Sequence, residues 1–157
     1  MPKHLTTTRI SLVAGIALLA LATSALPALA MPGDLYVSNF NTNTIERFTL
    51  GGAASGFATG LSSPRGLAFD ASGNLYTANI GNNNIVRFTP GGAASVFAST
   101  GLSGPYDLAF DLSGNLFVAH VINNTTERFT PGGAASVFAS TGLSSPAGLA
   151  FDASGNL

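Results

Sequence analysis

Residues 63–88 read SPRGLAFDASGNLYTANIGNNNIVRF, and most of the chain is a variation on this stretch. With Thr89 it holds three short apolar segments, 66–70, 74–80 and 84–89, separated by DASG and GNN. A fourth, 94–99, follows Pro90-Gly91-Gly92. Each segment is cut by Gly, Pro or Asn within about eight residues, and none shows a 3.6-residue period. The reading is therefore four short strands and not helices. Asp70 can accept hydrogen bonds from the turn backbone and Gly73 tolerates a left-handed backbone, which suits a tight hairpin. Asn tolerates positive φ in the second turn. In the third, Pro90 fixes φ and the glycines are expected to form a type II bend.

The unit recurs. Gly33-Asp34-Leu35-Tyr36 returns as Gly73-Asn74-Leu75-Tyr76, as Gly114-Asn115-Leu116-Phe117 and as Gly155-Asn156-Leu157, in steps of 40, 41 and 41 residues. Residues 87–103 and 128–144 are identical (RFTPGGAASVFASTGLS), and 64–75 matches 146–157 except for Arg65 against Ala147. Four antiparallel strands per ~40 residues, repeated, point to the blades of a β-propeller. A blade stacked between two others is buried on both faces, so strands such as 67–69 and 96–98 are expected to be apolar throughout. With the strands named A to D, the chain holds B, C and D of one blade, two complete blades and a last A at 148–152, twelve strands in all.

Residues 1–30 stand apart. Lys3, His4 and Arg9 precede an apolar run from Ile10 to Leu21, and Ala28-Leu29-Ala30 is an A-x-A cleavage signature. This is the pattern of a secretory signal peptide, so residues 31–157 are expected to form the mature part, outside the cytoplasm and with no membrane attachment after cleavage. That part carries four arginines and seven carboxylates, a net charge of −3. With no basic stripe, nucleic acid is not an expected partner. The absence of cysteine removes disulfides, thiolate metal sites and a cysteine nucleophile.

The pattern of 63–88 resembles an NHL repeat: a Pro before strand A, Asp and Gly in the first hairpin, Gly-Asn-Leu-Tyr opening strand B, then an Asn-rich turn. The resemblance covers residues 33–157. It implies a propeller that is six-bladed when whole, and relatives similar to gluconolactonase-like enzymes, streptogramin lyases and plain binding propellers. Three blades are about half of such a ring. Two readings stay open: the sequence is a fragment with blades downstream, or two chains each supply three blades head to tail, each terminal strand A completing the other's first blade.

Positions that differ between repeats are free to serve a site. The A–B and C–D hairpins hardly vary, whereas the opposite face, made of D–A connections and B–C turns, does. Its candidates are Arg65, Tyr106 and Asp107 at the starts of strands A, and Asn39, Asn79 and His120 at the ends of strands B. Function on a rigid scaffold collects on such loops. The expectation is an exported binding or scaffold module for an unknown protein or small molecule, with no cofactor and no assigned catalytic residue. His120 is expected to be a polar rim residue, because one histidine does not make a zinc site. Asp70, Asp111 and Asp152 in D-x-S-G-N are read as Asx turns, because a calcium loop needs several more oxygen ligands.

The alternative is a metal-dependent hydrolase or lyase. The gluconolactonase-like resemblance implies a divalent cation at the channel mouth held by carboxylate and amide oxygens. Asp107 and Asn79 are of those types, while the Glu of that pattern is absent. A structural surface protein presenting near-identical repeats is the third reading.

Overall fold

The computed structural model describes residues 33–157; the leader expected at 1–30 lies outside the described residues. Eleven strands are formed and no helix appears among the described residues. The first blade contains β1 (Leu35–Asn39), β2 (Thr44–Phe48) and β3 (Ala54–Ala58). The second contains β4 (Pro64–Phe69), β5 (Leu75–Asn79), β6 (Asn84–Phe88) and β7 (Ala94–Ala98). The third contains β8 (Pro105–Phe110), β9 (Leu116–His120), β10 (Thr125–Phe129) and β11 (Ala135–Ala139). Each blade is an antiparallel meander in sequence order, one of three strands and two of four.

The twelfth strand expected at 148–152 is not formed. A strand is a ladder, and this segment meets no antiparallel partner among the described residues. Its backbone–backbone bonds are the hairpin's own, from Asp152 N–H to Asn156 C=O (2.8 Å) and from Gly155 N–H to Asp152 C=O (3.0 Å).

The blades meet along their first strands. β4 packs on β8, strand A on strand A, and each strand B packs on the next strand A, β1 on β4 and β5 on β8; the A strands line the inside of the arc. The D strands β3, β7 and β11 form its exposed outer rim. Burial on both faces belongs to the B strands: every residue of β5 and of β9 is buried. This corrects the expectation for 67–69 and 96–98, where Phe69 and Val96 are 43% and 59% exposed. A middle strand is covered by both neighbouring blades, whereas inner and outer strands each lose cover on one side.

An aromatic relay runs between blades. Tyr36, Tyr76 and Phe117 on the B strands pack edge-on against Phe57, Phe97 and Phe138 on the D strands of their own blades. Each also meets an aromatic of the next strand A, at Phe69, Phe110 and Phe151, with ring centroids 4.9–5.1 Å apart. Phe57 and Phe97 reach on to Phe88 and Phe129 of the following C strands. Such pairs contribute about 0.5–1.5 kcal/mol each beyond the area they bury. Phe151 occupies its place although its segment forms no ladder.

Both invariant hairpins use one turn. In the A–B hairpin, Asp70 N–H donates to Asn74 C=O and Gly73 N–H to Asp70 C=O; in the C–D hairpin, Thr89 pairs with Ala93 and Gly92 with Thr89 in the same way. The positive φ falls on Gly73 (79°) and Gly92 (84°). This is the three-residue loop with a left-handed glycine at its end, not the type II bend expected at Pro90-Gly91-Gly92. The Asx reading holds: Asp70 Oδ1 accepts from the N–H groups of Ser72 and Asn74 (both 2.9 Å), and Oδ2 from Asn74 Nδ2 (2.7 Å). Asp111 and Asp152 repeat the pattern. Asn156 and the turn backbone hold the Asp152 carboxyl below its ordinary range.

Candidate functional site

The variable face is latched by the asparagine that ends each B–C turn. Asn43, Asn83 and Asn124 adopt φ of 59°, 51° and 57°, a region that Asn tolerates better than most residues. This turns each side chain toward the D–A crossover leading to the next blade. There Oδ1 accepts the N–H of Ser63 (2.7 Å), Gly104 (2.8 Å) and Ser145 (2.6 Å). The three donor residues have left-handed φ themselves, 50°, 64° and 46°. Turn and crossover thus form a fixed rim, and strand A starts directly behind it.

The first residues of strands A converge there. Pro64 and Pro105 are buried. The residues after them line an open depression of ≈ 280 Å³ whose wall includes Phe40, Arg65, Tyr106, Asp107 and Ala147. It therefore draws on the mouth end of four successive repeats. A larger open depression of ≈ 580 Å³ runs along β1 and β2 at the uncovered end of the arc.

Arg65 dominates the cavity. Its guanidinium carbon lies 3.8 Å from the centre of the Phe40 ring and 4.8 Å from that of Tyr106. Its carbonyl accepts a 2.6 Å hydrogen bond from the Ser38 hydroxyl. Its Nε is buried and has no hydrogen-bond partner. Asp107 turns Oδ2 to the N–H of Leu149, 2.8 Å away. Asp107 stands where the neighbouring repeats have Gly66 and Gly148, and β8 passes so close to β4 that a Cβ on Gly66 would come within 2.6 Å of Asp107 Oδ1.

The three strand-B candidates have another role. Asn39, Asn79 and His120 stand opposite Thr44, Asn84 and Thr125 in the B–C pairings. Their side chains bond across that step: Asn39 Nδ2 to Thr44 Oγ1 (3.2 Å), Asn79 Nδ2 to Asn84 Oδ1 (2.9 Å), and His120 Nδ1 with Thr125 Oγ1 (3.3 Å). Asn79 and His120 are 1% and 0% exposed, so His120 is not a rim residue. Thr125 donates its one proton to Asn123 Oδ1 (2.9 Å) and so accepts from Nδ1–H of His120, leaving Nε2 unprotonated and without a partner. Burial pushes the imidazole pKa down from 6.5 to about 4. The amide of Asn79 is engaged in its own turn and does not line the cavity with Asp107.

Two residues of the site escaped the sequence comparison. Phe40 aligns with Ile80 and Val121, and Ser38 with Ala78 and Ala119. Both differ between repeats, which is the signal that identified the other candidates. No group of three or more His, Cys, Asp or Glu side chains is placed to hold a metal ion among the described residues.

No family model matches the chain. No curated protein matches it. Solved structures do. A virginiamycin B lyase from Staphylococcus aureus superposes with a TM-score of 0.69 at 21% identity over 78% of this chain and 43% of that one. A chain of a nidogen/laminin complex gives 0.68 at 26% identity over 76% and 48%. A putative gluconolactonase gives 0.64 at 23% identity over 78% and 51%. This chain thus spans about half the length of the structures it matches, or less. The blade order, the inner A strands and these neighbours agree: the chain has a β-propeller fold, similar to that of these structures.

Proposed function

We propose that this chain is an exported binding module, and that it takes its ligand on the face of D–A crossovers and B–C turns. The observation that carries the reading is the fixed Arg65 between Phe40 and Tyr106 at the starts of the inner strands. Binding faces combine rigid aromatic anchors with a few oriented polar groups, and this cavity has both. The opposite face offers hairpins whose carboxylates are consumed by their own turns. The neighbours support binding as a use of the fold, one of them being a chain from a complex of two proteins. Others are a lyase and a putative gluconolactonase, so chemistry on the same scaffold is the rival reading.

The test is a thermal-shift screen of small molecules against the full chain, repeated on Tyr106→Ala and on Ser113→Ala in a hairpin of the opposite face. Ligands whose effect is lost with Tyr106→Ala alone support the reading. Ligands lost with Ser113→Ala alone overturn it.

Closure of the arc by a second copy, head to tail, is the further part of the reading. Residues 148–152 repeat the sequence Gly-Leu-Ala-Phe-Asp that pairs in the second blade, and β1 lacks a neighbour on the side where a strand A would lie. Light scattering decides it: a folded dimer supports the pair, and a folded monomer removes it.

A further inference from the structure

We infer that the mouth cavity recognises a monovalent carboxylate, bound by the N–H edge of Arg65; this rests on the reading of that face as the binding face and adds the chemistry of its ligand. Arg65 carries a permanent charge and five N–H donors, all lying in the guanidinium plane. Phe40 and Tyr106 flank that group at 3.8 and 4.8 Å. Aromatic rings attract the cation through their faces but leave its in-plane donors unanswered. The one ion pair among the described residues joins Arg47 to Asp34, and Arg65 is in none. Its Nε–H is buried without an acceptor. A buried N–H of a charged group left without an acceptor is costly, and at the wall of an open site such a group is placed to take an acceptor from outside.

The surroundings narrow what that acceptor is. The site is held before the ligand comes: the preceding Pro64 restricts the backbone, and Ser38 Oγ–H fixes the Arg65 carbonyl at 2.6 Å. Two oxygens in the guanidinium plane answer its fork, which a carboxylate supplies. Asp107 shares the cavity, and its Oδ2 is already bonded to Leu149 N–H. A carboxylate there opposes a second anion more strongly the higher that anion's charge. A dianionic phosphate is therefore discriminated against relative to a singly charged carboxylate.

The experiment follows the Nε–H signals of the full chain labelled with ¹⁵N-arginine, titrated with sodium acetate and separately with sodium phosphate at constant ionic strength. The expected result is a saturable shift of Arg65 Nε–H with acetate, at a concentration roughly tenfold or more below that needed for phosphate. Arg65→Lys should weaken acetate binding about tenfold, because the fork is lost. Arg128→Gln, at an exposed position on β10, should leave it unchanged. Asp107→Asn should narrow the acetate–phosphate difference. A shift that grows linearly without saturating while circular dichroism shows intact sheet overturns the inference, as does equal or tighter phosphate binding. If a ligand from the thermal-shift screen perturbs the Tyr106 ring while acetate leaves Arg65 untouched, the binding face stands and only the carboxylate falls. If neither perturbs the mouth, both fall.

Discussion

The guanidinium of Arg65 rests 3.8 Å from the ring centre of Phe40, so a cation on the inner strand of one blade is seated on an aromatic at the end of β1 in the blade before it. This contact crosses a blade boundary at the mouth, where the aromatic relay does not reach. It should be measurable as coupling. In a double-mutant cycle of Phe40→Leu and Arg65→Gln, read by chemical denaturation, the interaction energy is expected to be about 0.5–1 kcal/mol. A coupling near zero would mean that the two side chains are neighbours without consequence.

Gly66 and Gly148 offer a matched pair. A methyl on Gly66 would lie 2.6 Å from Asp107 Oδ1 and 2.7 Å from its Cα, whereas one on Gly148 meets nothing within 4 Å. Because the Asp107 backbone is part of the clash, Gly66→Ala should force the second and third blades apart and cost about 1–3 kcal/mol. Gly148→Ala should leave the denaturation midpoint within error of the parent.

The Asn latch separates backbone from side-chain effects. Asn83 holds φ of 51° and accepts Gly104 N–H at 2.8 Å. Asn83→Gly keeps the left-handed backbone and loses the bond, at an expected cost of about 1 kcal/mol. Asn83→Ala loses both, and the left-handed conformation adds about 1–2 kcal/mol more. Equal losses in the two variants would refute the latch as described.

Buried His120 sets an acid limit. Its pKa is depressed from 6.5 to about 4, so on acidification the unfolded chain takes up a proton first. The native state therefore loses stability as pH falls from about 6.5 toward 4, by about 2 kcal/mol at pH 5 relative to neutral pH. His120→Asn copies the Asn39–Thr44 arrangement of the first blade. It should flatten the dependence of denaturation midpoint on pH between 7 and 5, and an unchanged slope would rule out His120 as its source.

The strands were legible because the turns repeat. Residues 84–89 were expected to be extended and Asn84–Phe88 forms a strand; the Asx turns are local and follow from D-x-S-G-N alone. Arg65, Tyr106 and Asp107 were legible as departures from the repeat, and the fold gathers them into one cavity. Asn79 and His120 departed in the same way yet face inward. In a strand covered on both sides, polarity at its last residue does not distinguish solvent from a neighbouring turn, and here the bond across to Asn84 or Thr125 decides it. The exposure of Val96 was hidden for a related reason: apolar strands look alike in sequence whether they lie in the middle of a blade or on its rim.

The contacts of Tyr76 with Phe97 and Phe110 are repeated in kind by those of Phe117 with Phe138 and Phe151. The two seams between the described blades thus use the same plug and the same socket. An in-frame duplication of one 41-residue period would insert a blade whose two new seams are already solved, leaving only ring curvature to adjust. Such a chain can change its copy number by recombination between near-identical segments without inventing an interface, while the few unlike residues at the mouth diverge independently of that growth.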